Sequence, residues 1–198
     1  MNQREERRTL CPSLFLPFGP GVYSRLNIRP LAGEKMSNEQ RRWHVFPLRV
    51  RYEETDQMSV VFHGNYLTWF EIGRTELIRH AGFAYREIEA AGLLLPVIDI
   101  DCKYVSPARY DDIVLVCTRI VDYSSIRISF ESQIRRGSEL CLKAGSRLES
   151  SQALEPYELL AAGGTRHMWV NSAFKPTRLE RAFPELYDKL AQVVAQST

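Results

Sequence analysis

The chain contains no apolar run near the roughly 20 residues that a bilayer-spanning helix needs. Residues 14–18 (LFLPF) are apolar, but Pro12, Pro17 and Pro20 interrupt any helix there. Glu5 and Glu6 stand among the N-terminal arginines, so the continuous apolar stretch of a secretory signal is missing too. Excess charge of either sign is lacking: 26 basic residues face 24 acidic ones, for a net charge of +2. That balance gives no general reason to expect nucleic acid as a partner, although a local basic groove for a phosphorylated ligand is compatible with it. Cysteine is scarce, and Cys11, Cys102, Cys117 and Cys141 lie too far apart in sequence to suggest a zinc knuckle or a redox pair. The last three sit in alternating apolar runs and read as buried free thiols in a reducing compartment, the cytoplasm. No cluster of His or Cys suggests a metal, and no internal repeat or low-complexity segment is visible.

What is present is enough apolar material for a core, 44% of 198 residues, which predicts one domain plus a tail. Residues 1–42 are rich in Arg, Glu, Pro and Gly without sustained periodicity and read as a poorly ordered N-terminal extension, with Met36 a candidate translation start. The domain spans 43–198. Phe46, Leu48, Val50 and Tyr52 alternate with Pro47, Arg49 and Arg51 as in a half-buried strand, and Pro47, which lacks a ladder donor, means that the strand starts late or has Pro47 at an edge. A helix is predicted over 65–81, where Tyr66, Trp69, Phe70, Gly73, Leu77 and Ala81 fall at helical spacing. Asn65 is its expected N-cap and Gly82 its stop. A short helix over 84–91 follows.

Beyond Pro96 the pattern is that of antiparallel sheet. Ile98, Ile100, Cys102 and Tyr104 alternate; residues 113–121 and then 126–134 form strands. Arg136-Gly137-Ser138 reads as a hairpin turn leading to a strand carrying Leu140, Leu142, Ala144, Ser146 and Leu148 on one face. Residues 149–164 read as an insertion with a short helix ended by Gly163-Gly164, and residues 165–171 close the sheet. Pro184 stands at the first turn of a last helix whose buried side is lined by Phe183, Leu186, Leu190 and Val194. A sheet must cover its apolar face, and the helix over 65–81 is the only element large enough. The expected class is therefore α+β, an antiparallel sheet wrapped around one long central helix.

Chemistry concentrates in residues 50–74, VRYEETDQMSVVFHGNYLTWFEIGR. A carboxylate at Asp56 is followed by an apolar crossing, Val60 to Phe62, and by a helix start between His63 and Asn65. Unpaired backbone N–H groups at a helix N-terminus carry partial positive charge and can stabilise the oxyanion formed when a carbonyl is attacked. On local grounds alone, an Asp shortly before a helix is more often a turn former, His63 a packed or surface residue, and Glu71 a solvated ion-pair partner.

The stretch resembles the signature of the 4-hydroxybenzoyl-CoA thioesterase family, in particular its Tol–Pal-associated acyl-CoA thioesterase branch. The matching residues are Tyr52, Thr55-Asp56, Val60-Val61-Phe62-His63, Asn65-Tyr66, Phe70-Glu71 and Arg74. Pro107 to Asp112 and Thr165-Arg166-His167 match further on, so the resemblance covers about residues 43–190. It implies a hotdog fold and hydrolysis of a CoA thioester to free CoA and a carboxylic acid. It makes Asp56 the catalytic aspartate, His63 the residue whose backbone N–H polarises the carbonyl, and Tyr52 a tyrosine near that carboxylate. Asn65 and Tyr66 then open the central helix beside the substrate. It further implies a homodimer or homotetramer with the acyl group at a subunit interface. No cofactor is implied, since CoA is part of the substrate.

Two departures stand out: Ser59 replaces the Gly of many relatives, and the segment before Thr165 is longer. Arg74, Lys103, Arg109 and Arg127 are candidates for the CoA phosphates by location. Two other readings remain: a hotdog dehydratase with His63 as base, and a non-catalytic acyl-CoA-binding module.

Overall fold

The computed structural model describes residues 42–195. The expected extension over 1–42, apart from Arg42, lies outside the described residues, as do Cys11 and Met36. In chain order the elements are β1 (Trp43–Arg49), a 3-10 turn (Tyr52–Glu54), α1 (His63–His80), α2 (Tyr85–Ala90), β2 (Leu93–Leu94), β3 (Val97–Tyr104), β4 (Ile113–Tyr123), β5 (Arg127–Arg136), α3 (Glu139–Ala144), β6 (Arg147–Glu149), α4 (Ser151–Leu154), β7 (Leu159–Met168), β8 (Val170–Asn171), α5 (Leu179–Ala182) and α6 (Pro184–Ala195).

Six strands form one sheet in the order β3-β7-β5-β4-β1-β6, and every neighbouring pair is antiparallel. The helix α1 lies across it, packed chiefly against β4, β1 and β5. This is the hotdog arrangement. Tyr66, Trp69, Phe70, Gly73, Leu77 and Ile78 are the buried residues of α1, the three-and-four spacing of one helical face. The N-terminal half of that face meets Val61, Val114, Val116, Ile134 and Leu160. The C-terminal half meets Ile120, Phe130 and Trp169, with Leu186 and Leu190 of α6 closing the end. The helix stops before Gly82, whose φ of +101 suits a residue without Cβ.

The second half of the sheet corrects the sequence reading. The residues expected as a strand over 140–148 form α3 and then the three-residue β6. The Gly163-Gly164 pair ends no helix; it lies inside β7, which runs from Leu159 to Met168. β5 and β7 are paired directly, so the excursion between them is 137–158 rather than 149–164. Alternation misled here because Leu140 and Leu142 obey both strand and short-helix spacing. The glycines are there for contact: a Cβ at Gly163 would sit 2.1 Å from the Asp101 carbonyl oxygen, and one at Gly164 would sit 2.7 Å from that of Phe130.

The excursion packs on the sheet. Cys141 and Leu154 pack with Trp43, Val45, Leu115 and Cys117, a third cluster alongside the two that α1 covers. With α1 on one side and the excursion on the other, residues 113–120 of β4 are buried without interruption, the signature of a strand covered on both faces. Cys102, Cys117 and Cys141 are free thiols.

Candidate active site

The chain between β1 and α1 folds back on itself. An isolated antiparallel bridge joins Thr55 to Val61. The Asp56 amide donates to the Val60 carbonyl at 2.9 Å, and the Phe62 amide donates to the Glu54 carbonyl at 2.9 Å. Residues 54–56 therefore lie in register beside 60–62, and the loop carrying Asp56 is tied directly to the residues that open α1. The connection 105–112 forms a second wall. The Val61 amide donates to the Ala108 carbonyl at 2.8 Å, and Arg109 reaches the Ser59 carbonyl at 3.2 Å.

Asp56 is half-buried. Its Oδ1 accepts from the Met58 amide at 2.8 Å, so the side chain holds the turn, as the local reading had it. Its second carboxylate oxygen has no hydrogen-bond partner among the described residues. α1 begins at His63, two residues before the expected start, with Phe62 as N-cap. The backbone N–H groups of His63 and Gly64 find no acceptor within the helix, whereas that of Asn65 donates to the Phe62 carbonyl. The helix thus begins with two amides unengaged within it, directly after the 60–62 segment that is paired with the Asp56 loop. The His63 ring is exposed, lying 4.2 Å from the Phe62 ring and 6.4 Å from that of Tyr104. The Tyr104 hydroxyl donates to the His63 carbonyl at 2.9 Å.

The remaining expected residues lie around this pair in other roles. Tyr52 is 78% exposed, and its ring meets the edge of Tyr110. Its carbonyl accepts from the Thr55 hydroxyl at 2.8 Å. Asn65 does not cap the helix: its side-chain amide donates to the Glu54 carbonyl at 2.8 Å. Tyr66 is buried among Trp69 and Tyr104, and its hydroxyl accepts from the Ala108 amide. Burial raises its pKa, so it stays a neutral phenol. Of the four cationic candidates, Arg109 reaches the loop. Arg74 is partly buried beside Glu71, and burial lowers its pKa. Lys103 lies on β3 and Arg127 at the start of β5.

Sequence reasoning passed over Glu54. It is 4% exposed, and Oε1 accepts from the Trp69 indole N–H at 3.0 Å and from Arg51 at 3.3 Å, while Oε2 accepts from the Arg51 amide at 2.7 Å. Three hydrogen bonds from Arg51 and Trp69 to one buried carboxylate fix where the loop meets the helix. The signal available was an acidic residue inside an otherwise half-buried segment.

Ser59 sits in the left-handed region, with φ of 60, where a Cβ costs roughly 1–2 kcal/mol. Part of that cost is offset by the greater freedom of an unfolded glycine, so Ser59→Gly is expected to stabilise the protein by about 0.5–1 kcal/mol. A shift of the urea midpoint upward at constant slope would show it; an unchanged or lower midpoint would mean that the Ser59 side chain contributes an offsetting contact.

No group of three or more His, Cys, Asp or Glu able to hold a metal occurs among the described residues, and no described helix is long and apolar enough to cross a membrane.

Residues 58–143 match the Thioesterase superfamily. The chain is 37% identical over 140 residues to the putative acyl-CoA thioesterase YneP of Bacillus subtilis, covering 70% of this chain and 88% of that protein. It is 34% identical over 93 residues to the acyl-CoA thioester hydrolase YbgC of Escherichia coli, covering 47% and 67% respectively. Among solved structures, the DHNA-CoA thioesterase of Staphylococcus aureus superposes with a TM-score of 0.65 at 32% identity, covering 77% of this chain and 91% of that one. On fold, signature and these relatives together, the chain belongs to the thioesterase superfamily.

Proposed function

We propose that this protein hydrolyses acyl-CoA to free CoA and a carboxylic acid at the junction of the Asp56 loop and the N-terminus of α1. The observation that carries this is the register 54–56 against 60–62. It ties a carboxylate with one unengaged oxygen to a helix end with open amides. Relatives named as acyl-CoA thioesterases support the substrate class. The thioester carbonyl oxygen would lie toward the His63 and Gly64 amides, where developing negative charge is stabilised. Asp56 then acts in one of two ways. As nucleophile it forms a mixed anhydride, expelling the CoA thiolate, and water cleaves the anhydride. As general base it takes the proton of a water that attacks the carbonyl. CoA thiolate is a good leaving group, so the step needs no metal or cofactor.

The working unit in this reading is a homodimer or homotetramer. β3 is an edge strand with Ile98, Ile100 and Tyr104 each at least 40% exposed. Such an edge invites pairing with another strand. Tyr104 also touches the first residue of α1, so a second copy docked there would wall the site. Free thiols and a CoA substrate fit the cytoplasm.

The test is a thiol-release assay across short-chain, long-chain and aromatic acyl-CoAs with mass analysis of products. Stoichiometric free CoA and carboxylic acid from at least one class is the expected result. An enoyl thioester product, or binding without turnover across the whole panel, would overturn the reading.

A further inference from the structure

At the other end of α1 lies a cavity of about 190 Å³. The helix has 18 residues, so this cavity is roughly 25 Å from the Asp56 loop at the helical rise per residue. Its walls carry Arg42, His44 and His80 on one hand and Lys189 of α6 on the other, with Leu77 and Leu148 among the apolar residues. Among the described residues no carboxylate lines it. Arg42 and Lys189 make no ion pair among the described residues, whereas Arg119, also in the wall, is joined to Glu131 and stacks on Trp43.

We propose that this cavity is a binding site for a small organic anion. Its carboxylate would be held between Arg42 and Lys189, and its apolar body would lie against Leu77 and Leu148.

Two further observations support the assignment. His44 is 1% exposed, and its Nδ1 is a buried polar atom without a hydrogen-bond partner. Its Nε2 lies 2.7 Å from the Ser146 hydroxyl. Burial and the neighbouring His80 lower its pKa to about 4, so the ring is neutral near pH 7. When Ser146 donates to Nε2, the ring proton sits on Nδ1, a donor of this wall residue that no described residue satisfies. In addition, three of the four C-terminal carbonyls of α1, which would otherwise face an anion unpaired, are engaged: those of Leu77, Ile78 and Arg79 accept from the amides of Ala81, Phe83 and Gly82. A free phosphate dianion fits less well, because it would leave Leu77 and Leu148 facing a hydrated ion.

The experiment titrates the full-length protein with hexanoate, hexanamide and inorganic phosphate. Calorimetry is combined with NMR of the ring resonances of His44, His63, His80 and His167, assigned through single His→Gln variants. Hexanoate is expected to shift His44 and His80, hexanamide to bind at least tenfold more weakly, and the double variant Arg42→Gln/Lys189→Gln to lose at least tenfold in affinity while keeping its thioesterase rate. Equal binding of hexanamide, an unchanged Kd in the double variant, phosphate binding as tightly as hexanoate, or no binding at millimolar hexanoate would each overturn the proposal. So would a shift at His63 alone, which would place the carboxylate at the Asp56 loop as a reaction product. The readout is binding rather than turnover, so this result and the hydrolytic reading stand or fall separately.

Discussion

Asp56→Asn is expected to lower kcat for acyl-CoA hydrolysis by about 10²–10⁴-fold, the range that a positioned acid–base group contributes, while leaving the melting temperature close to that of the parent. The argument separates the two jobs of this side chain. One oxygen accepts from the Met58 amide, and the Asn carbonyl oxygen can accept the same bond, so the turn survives. The Thr55–Val61 bridge and the Asp56–Val60 backbone bond do not involve the side chain at all. What the substitution removes is the charge and basicity of the second oxygen, which in the proposed mechanism attacks the carbonyl or takes a proton from water. Thiol release measured beside circular-dichroism melting separates a chemical from a structural effect. If the Asn variant turned over acyl-CoA at the parental rate, Asp56 would not be the catalytic group. Single-turnover hydrolysis in ¹⁸O-water then tests the nucleophilic role: label enters the Asp56 carboxylate only when it has acted as nucleophile and water attacks the Asp56 carbon of the anhydride.

How far the sequence reveals the molecule depends on whether one period dominates. α1 is legible because its buried positions keep helical spacing throughout, and because Gly82 stops it. β3, β4 and β5 are legible because alternation or continuous apolarity persists for eight residues or more. The region after Arg136 is not, because Leu140 and Leu142 satisfy two periods and Gly163-Gly164 resembles a helix stop. Their actual reason, the close approach of the Asp101 and Phe130 carbonyls, is a tertiary fact. The site divides in the same way. Asp56 and His63 stand out through a long signature and lie in loops and ends joined by local backbone bonds. Asn65, read as a cap, is drawn instead to the carbonyl of Glu54, and Tyr66 is consumed in packing. Glu54 was passed over because its importance comes from Trp69, fifteen residues away in sequence, and no local pattern encodes that pairing.

Glu54→Ala is therefore expected to be the most destabilising single change at the site, by about 2–4 kcal/mol, from lost hydrogen bonds to a buried carboxylate and the unpaired donors left behind. The Trp69 indole N–H and the Arg51 amide would both lose their acceptor, and the space vacated beside fully buried Trp69 is too enclosed to be refilled without cost. The backbone tie from the Glu54 carbonyl to Phe62 and Asn65 does not depend on the side chain, so the fold should persist with a looser loop. Because Asp56 lies two residues on, its position relative to the start of α1 would spread. At a temperature where both proteins are folded, kcat is expected to fall about ten- to a hundredfold, the scale of a displacement near 1 Å. Glu54→Gln keeps a carbonyl oxygen for Trp69, and it should recover most of the stability and more than half of the logarithmic loss in kcat. Thermal melts and thiol release on the three proteins decide it. A melting temperature for Glu54→Ala equal to that of the parent would show that the buried carboxylate does not hold the loop to the helix, and the position of Asp56 would need another cause.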